Sequence, residues 1–595
     1  MGPSLPGERK LISRQEWRFV WAMIAVVLAL TSLPYLYGYL SSPPDKQFMG
    51  LMLDIPDHGQ YLSWWQSFQS SVLVSNKLTP EPNDPIFFNL LWWVLAQVSL
   101  WTGLGYAPVY QAFRWIAGGS FLWTVYRLIA QLLPNSVEGV RQRRTAFLLI
   151  TSSSGLGWGL VVLKYTLTRG ELLFPLDVYI AEGNSFLCIL GYPHFAFAAA
   201  FIALTFEFVW RGWKEEQTRY MVSAGVVALL LGWQHAYDLL FIYGITGAFA
   251  LLIWLKQRAF PWRLFWGGVI VFALSCSGAI YSVILTTVDP LWKEVLAQFA
   301  NAGVYTPSPL HLVILFGFPL ILAVATGIGL IWQGVSADRS RTPSANVQTC
   351  KPANSREENL FIMGWFLAGA ALNYIPTDFQ IHMLNGWQIP MMLLVTKGLY
   401  DFIAPAIAQW KLGIRTGANL QTCKPANLRR LVVIVFVLAV VPTNLYLWTW
   451  RFVDLARHDY PFYLHRDDVA ALDWLRENSS PDDIVLCSII VGQYVPALSG
   501  NTAFLAHWAQ TVDFYDKQNR VARFFDTATP DEERAETLHA FDVDYVLHGP
   551  AERKLGDYDP ATTPWLALTF SAPQVDVYRV KHDRLPLVVG SGGTP

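Results

Sequence analysis

From Phe19 to Leu40 the chain contains no Asp, Glu, Lys, Arg or His, and apolar stretches of similar length recur along most of it. A helix needs about 20 such residues to cross the hydrocarbon of a bilayer, and in lipid its backbone groups must be satisfied within the segment. This recurrence confines the chain to a bundle of membrane-crossing helices. Composition agrees, since 53% of the 595 residues are hydrophobic and only 15% charged, too apolar for ordinary soluble packing.

Basic residues in short loops mark the cytoplasmic side. Arg9, Lys10, Arg14 and Arg18 precede the first run, which is longer than a signal-peptide core and has no small-residue cleavage site, so it reads as an uncleaved span leaving the cytoplasm. Phe87 to Thr102 is apolar but short and is followed by Gly103 and Gly105; crossing there would put Arg141, Arg143 and Arg144 outside. It therefore reads as a juxtamembrane or re-entrant helix. Further spans are expected at Val109 to Leu132, Ala146 to Tyr165 and Phe195 to Trp210, as two short crossings within Tyr220 to Leu255, and at Phe265 to Leu285 and Leu312 to Trp332. The last three are Leu360 to Ile375, Met391 to Ile407 and Leu431 to Trp448. About eleven spans result, and an odd number leaves the C-terminus outside.

After Arg451 the texture changes. DDVAALDWLREN has helical periodicity, IVLCSII, DVDYVLHG and QVDVYRV read as strands, and the charged DEERAETLHAF lies between two of them. The expected fold is a polytopic α-helical membrane protein over residues 1–451 with an extracytoplasmic α/β domain over residues 452–595.

With 43 basic and 44 acidic residues, nothing points to nucleic acid. Cys188, Cys276, Cys350, Cys423 and Cys487 lack metal-ligand or C-x-x-C spacing. The decapeptide ANVQTCKPAN at Ala345 to Asn354 recurs as ANLQTCKPAN at Ala418 to Asn427, both in predicted cytoplasmic loops, and reads as a tolerated loop insertion.

The polar residues on the predicted outer side form a biased set: Asp54, Asp57, His58 and Glu81 in loop one, Asp177, Glu182 and His194 in loop two, and His235 with Asp238 in the turn GWQHAYD. Ionisable groups at a membrane edge are costly unless they face a cavity or each other, so their recurrence on one side suggests a shared polar site. Asp177 and Glu182 offer hard oxygen ligands for a divalent cation such as Mg or Mn, or caps for helix starts. His235 and Asp238 suit a hydrogen-bonded pair within their turn. Asp57 has Tyr61 four residues on, on the same helix face, with Trp64 and Trp65 beyond as interface anchors. A carboxylate so placed can serve as a general base toward an acceptor hydroxyl or amine.

This pattern resembles the glycosyltransferase-C superfamily, polytopic enzymes that use polyprenyl-phosphate sugars. The resemblance rests on DHxxYL after the first span, SSGLGW at Ser153 to Trp158, PHF at Pro193 to Phe195 and PTDFQIHMLNGWQIP at Pro376 to Pro390. It implies an inverting transfer of sugar from a polyprenyl-phosphate donor to a lipid, glycan or protein acceptor within the cell membrane. Asp57 would be the base and Asp177 with Glu182 would meet metal or donor phosphate. Tyr61, His194, His235, Asp238, Gln380 and His382 would line the substrate site. Relatives commonly carry arginine just after the FQ; here Ile381 and His382 follow Gln380, so protonated His382, or Lys164 and Arg169, would have to supply the positive charge. The competing classes are a transporter or lipid flippase, whose site would lie on broken helices at mid-membrane, and an inactive membrane scaffold.

Overall fold

Apolar runs with no partner for their backbone other than themselves become helices, and so they appear in a computed structural model, which describes residues 11–166, 175–301, 305–339, 355–407 and 425–586. The chain opens with α1 (Arg14–Leu40), α2 (Ile55–Ser67), α3 (Leu90–Thr102) and α4 (Tyr106–Leu132). Then come α5 (Val137–Ser152), α6 (Gly157–Thr166), α7 (Ser185–Gly191) and α8 (Pro193–Lys214). The middle of the chain forms α9 (Thr218–Gly232), α10 (Asp238–Gln257), α11 (Trp262–Val288) and α12 (Pro290–Asn301). These are followed by α13 (Pro309–Phe316), α14 (Phe318–Arg339), α15 (Ser355–Leu372) and α16 (Gln388–Lys397), and later by the helices Pro425–Ala439 and Pro442–Leu455. Among the described residues five helices are long and apolar enough to cross a membrane, or up to eight if each bent pair is one span. Arg169, Cys350, Lys351, Cys423, the first copy of the repeat and most of the second lie outside the described residues.

Two compact units divide the chain. The first comprises Met1–Ser32, Phe113–Ile280 and Val304–Trp450; the second comprises Leu33–Ala112, Tyr281–Gly303 and Arg451–Pro595.

In the first unit, three predicted spans are broken rather than continuous. α5 and α6 meet at 41°, α13 and α14 at 110°, and the helices before and after Val440 at 41°. The breaks occur where the backbone finds partners outside its own helix. Ser154 N donates to Val440 O at 2.6 Å, Leu156 N to Ile314 O at 2.8 Å, and Asn444 Nδ2 to Ser152 O at 2.9 Å. Irregular backbone in a membrane protein is tolerated where other protein groups satisfy it, and here each break satisfies another. The SSGLGW motif sits at this junction. A Cβ on Gly155 would lie 2.1 Å from Ile314 O, so only glycine permits the approach.

In the second unit, α3 is capped by Asn89, whose side chain accepts from Leu91 N and Trp92 N, and ends at Gly103 with φ +68°. Its 13 residues span about 20 Å, short of a bilayer. Trp64 and Trp65 do not anchor at an interface: they are 7% and 1% exposed, packed against Phe87 and Tyr106, while Trp101 on α3 is 86% exposed. A residue on α2 that faces its neighbours is buried whatever its side chain would prefer in lipid.

The C-terminal part of this unit forms a five-stranded sheet. With β1 (Lys46–Phe48) and β2 (Tyr463–His465) paired antiparallel elsewhere, its strands are β3 (Ile484–Leu486), β4 (Thr502–Ala503), β5 (Val543–His548), β6 (Leu566–Ser571) and β7 (Asp576–Val580), in the order β4-β3-β5-β7-β6. β3 runs parallel to β4 and β5, whereas β7 is antiparallel to β5 and β6. Leu486, Phe504, Phe525, Val546 and Trp565 build its core. Loop one is fastened to this region. Asn76 Nδ2 donates to Gln510 O at 3.0 Å, Thr511 Oγ1 to Leu78 O at 2.5 Å, and Lys517 Nζ to Glu81.

Candidate active site

Loop two, the α9–α10 turn and the segment after Phe379 are far apart in sequence, yet the first unit brings their polar side chains together. His382 lies in the middle of Gln380–Leu384, a short 3₁₀ turn, and its Nδ1 lies 2.6 Å from Glu182 Oε1. Its ring stacks on Tyr237, centroids 4.4 Å apart and 15° between planes. Tyr237 Oη is 3.1 Å from His235 Nε2, and His235 Nδ1 is 3.2 Å from Asp238 Oδ2, which Asn385 Nδ2 approaches at 3.5 Å. The His194 ring lies 5.8 Å from that of His235. Glu182, His194, His235 and Asp238 are all buried, and His382 is about a quarter exposed. Five of the residues singled out from sequence thus form one connected array, and His235 with Asp238 are the expected pair within their turn.

Asp177 and Gln380 have other partners. Asp177, on the short turn Leu176–Val178, accepts from Gly157 N at 3.2 Å, so it caps the start of α6. Burial pushes its carboxyl up to about 6. Gln380 Oε1 accepts from Thr306 N at 3.4 Å. The divalent cation expected of Asp177 and Glu182 does not find a ligand set: Asp177 is turned to Gly157 and Glu182 to His382, and among the described residues no three His, Cys, Asp or Glu side chains are grouped to hold a metal ion.

Around this array run groups that spacing gave no reason to select. Asn184 caps α7 and donates to Asn444 Oδ1 at 2.7 Å; Gln388 accepts from Ser185 Oγ at 2.5 Å and donates to Ser153 Oγ at 3.0 Å. Tyr237 is the aromatic next to Asp238 in the turn GWQHAYD, and that position is its signal in the sequence.

In the second unit, α2 starts at Asp54, whose φ is +46°, and presents Asp57 in its first turn. Asp57 Oδ1 is 3.1 Å from Nε2 of His507, 450 residues later. The Asp57 side chain is 30% exposed and that of His507 only 1%. His507 Nδ1 accepts from Ala509 N at 3.0 Å and Gln510 N at 3.1 Å. A ring nitrogen that accepts carries no proton, so the hydrogen sits on Nε2 and is donated to Asp57. Next to it, His58 Nδ1 donates to Asp54 O at 2.8 Å and Nε2 accepts from Tyr110 Oη at 2.9 Å. Tyr61 stacks on Trp92 with centroids 4.8 Å apart. No feature of the sequence near His507 announced this contact, because it depends on how loop one is seated.

No family model matches the chain and no curated protein matches it by sequence. Solved structures do match in fold. The oligosaccharyltransferase AglB of Archaeoglobus fulgidus, in complex with an inhibitory peptide and a dolichol-phosphate, superposes with a TM-score of 0.51 at 13% identity, over 97% of this chain and 76% of that one. The Archaeoglobus fulgidus oligosaccharyltransferase in complex with Zn and sulfate gives 0.52 at 14% identity, over 94% and 74%. The mycobacterial arabinofuranosyltransferase AftD gives 0.51 at 13% identity, covering 96% of this chain but 40% of its own. The chain shares its fold with these oligosaccharyltransferase and arabinofuranosyltransferase structures.

Proposed function

We propose that the chain transfers a sugar from a polyprenyl-phosphate carrier to a lipid, glycan or protein acceptor outside the cytoplasmic membrane, with inversion at the anomeric carbon. Asp57 is the base. The acceptor hydroxyl or amine attacks the anomeric carbon, its proton passes to the Asp57 carboxylate, and the glycosidic oxygen leaves with the polyprenyl phosphate. The observation that carries this reading is the reachable Asp57 carboxylate held by a buried histidine, in a chain that shares its fold with AglB, a protein solved with a dolichol-phosphate. In this reading loops one and two and the region after Asp467 lie outside, the N-terminus lies inside, and about eleven spans cross. The candidate donor-binding residues, all in the first unit, are His194, His235, Asp238, Gln380 and His382. Tyr61 packs against the substrate.

The test is transfer in membranes from tritiated polyprenyl-phosphate mannose, glucose and arabinofuranose in turn, with expression matched. Asp57→Asn is nearly isosteric and removes the proton acceptor, so the rate should fall about 10²- to 10⁴-fold. Asp54→Asn is the control, since asparagine accepts the left-handed backbone at that position. Parent activity in Asp57→Asn, or a larger loss in Asp54→Asn, overturns the assignment.

A second reading has one observation in its favour. The three broken helices joined at their breaks are a device that transporters use at mid-membrane. Proteoliposomes that move a polyprenyl-phosphate sugar across the bilayer without transferring the sugar would establish it instead.

A further inference from the structure

The two imidazole nitrogens of His507 are engaged in different ways. Nδ1 receives two backbone hydrogens, from Ala509 and Gln510, which fixes the ring plane and the tautomer. Nε2–H is therefore aimed in one direction only, at Asp57 Oδ1. The backbone that carries His507 is itself held, since Thr511 Oγ1 accepts from Ala506 N at 3.1 Å and His507 N at 3.0 Å while donating to Leu78 O. Trp508 stacks beside the imidazole with centroids 5.4 Å apart. A buried ring locked on one side and donating on the other is how a scaffold orients a reactive group.

We infer that His507 is a positioning residue: its Nε2–H ties Asp57 Oδ1, and so orients the carboxylate for proton abstraction by Oδ2. This rests on Asp57 being the base. The imidazole takes no proton during transfer, because Nε2 already carries one and Nδ1 is occupied by two amides. The consequence is that the site is completed by a segment 450 residues downstream of the acid, and that seating loop one against His507–Lys517 is a condition for activity.

Asparagine separates holding the turn from holding the acid. In His507→Asn the Oδ1 can still accept from the amides two and three residues on, as asparagine does in its own turns, but the shorter side chain does not reach Asp57. Transfer from the same tritiated donors should fall about 10- to 100-fold in kcat, with KM for the donor and the unfolding midpoint close to the parent's. The double variant Asp57→Asn/His507→Asn should be no slower than Asp57→Asn alone, because the histidine acts only through the acid. His507→Phe, which removes both functions, should in addition lower the unfolding midpoint. Parent-level kcat in His507→Asn, with Asp57→Asn inactive, overturns the positioning role and leaves the base intact. Independent, multiplying losses in the double variant overturn it as well. Full activity in Asp57→Asn overturns the base assignment itself.

Discussion

Glu182 Oε1 and His382 Nδ1 lie 2.6 Å apart although 200 residues separate them in the chain. The carboxylate is buried, so its partner decides whether it can remain there at low cost. His382→Ala strips that donor away and should destabilise the protein by about 1–3 kcal/mol. His382→Gln keeps a donor of similar reach and should lose less than half as much. Thermal unfolding of the purified protein in detergent measures both, and equal losses would mean that the contact contributes nothing beyond packing.

Gly157 offers a sharper steric test. A Cβ there would lie 1.8 Å from Asp177 Oδ1, while one on Gly159, two residues along the same helix, would meet nothing within 4 Å. Gly157→Ala must push Asp177 away from the start of α6, and overpacking of this kind costs about 1–3 kcal/mol. Gly159→Ala should be neutral or stabilise by up to about 1 kcal/mol, the ordinary helix preference for alanine. Unfolding midpoints that move together for the two variants would show that the close approach is not rigid.

What could be read from the sequence follows from the range over which each signal acts. Hydrophobic length and charge alternation are local, and they located a helix or a bent helix pair at each expected span. The breaks were not legible, because they depend on partners such as Val440 for Ser154 and Ile314 for Leu156, almost 300 and 160 residues away. The same holds for the strands: Val543–His548 and Asp576–Val580 are rich in Val, Tyr and Leu and bury most of their residues, whereas Leu566–Ser571 has a single buried position and gives no such signal. Trp64 and Trp65 misled for a related reason, since tryptophan at a membrane edge and tryptophan in a core look alike until the neighbours are known. Among the candidate residues, those within one turn, such as His235 and Asp238, were visible. Asp57 was visible as an acid, but its partner His507 was not.

The soluble-like part of the second unit should respond to pH through Asp468. Burial, and then the nearby Glu552 carboxylate, push the Asp468 carboxyl up to about 7. Glu552 is satisfied by Ser488 N at 2.8 Å and Gly549 N at 2.9 Å, whereas Asp468 Oδ1 has no hydrogen-bond partner among the described residues. The folded form thus keeps a proton that the unfolded chain releases near its ordinary value of 3.8. Stability is full below that value, falls as pH rises from about 4 to about 7, and is level above; the span corresponds to about 4 kcal/mol at most. Asp468→Asn should flatten this slope and leave the protein more stable than the parent at pH 8. Hydrogen exchange of Arg466–Asn478 and Val543–His548 in the full chain reads it, and an unchanged slope in Asp468→Asn would assign the pH response elsewhere.

The proposed orientation can be tested without any substrate, provided the reporter positions are accessible. Arg143 is a poor choice despite its place in the basic cluster, because it is fully buried, donating to Leu133 O and pairing with Glu16 at 3.3 Å. Arg141, two residues earlier, has a side chain 43% exposed and is the better cytoplasmic reporter. Glu477, exposed near the end of the helix Arg466–Asn478, serves for the outer side. In a background with the five native cysteines replaced, single cysteines at 141 and 477 would be treated with a membrane-impermeant maleimide in intact cells. Basic loops stay on the cytoplasmic side, so position 477 should label at once and position 141 only after the membrane is permeabilised. Labelling of 141 in intact cells with 477 protected would invert the chain, and with it the side on which Asp57 could meet an acceptor.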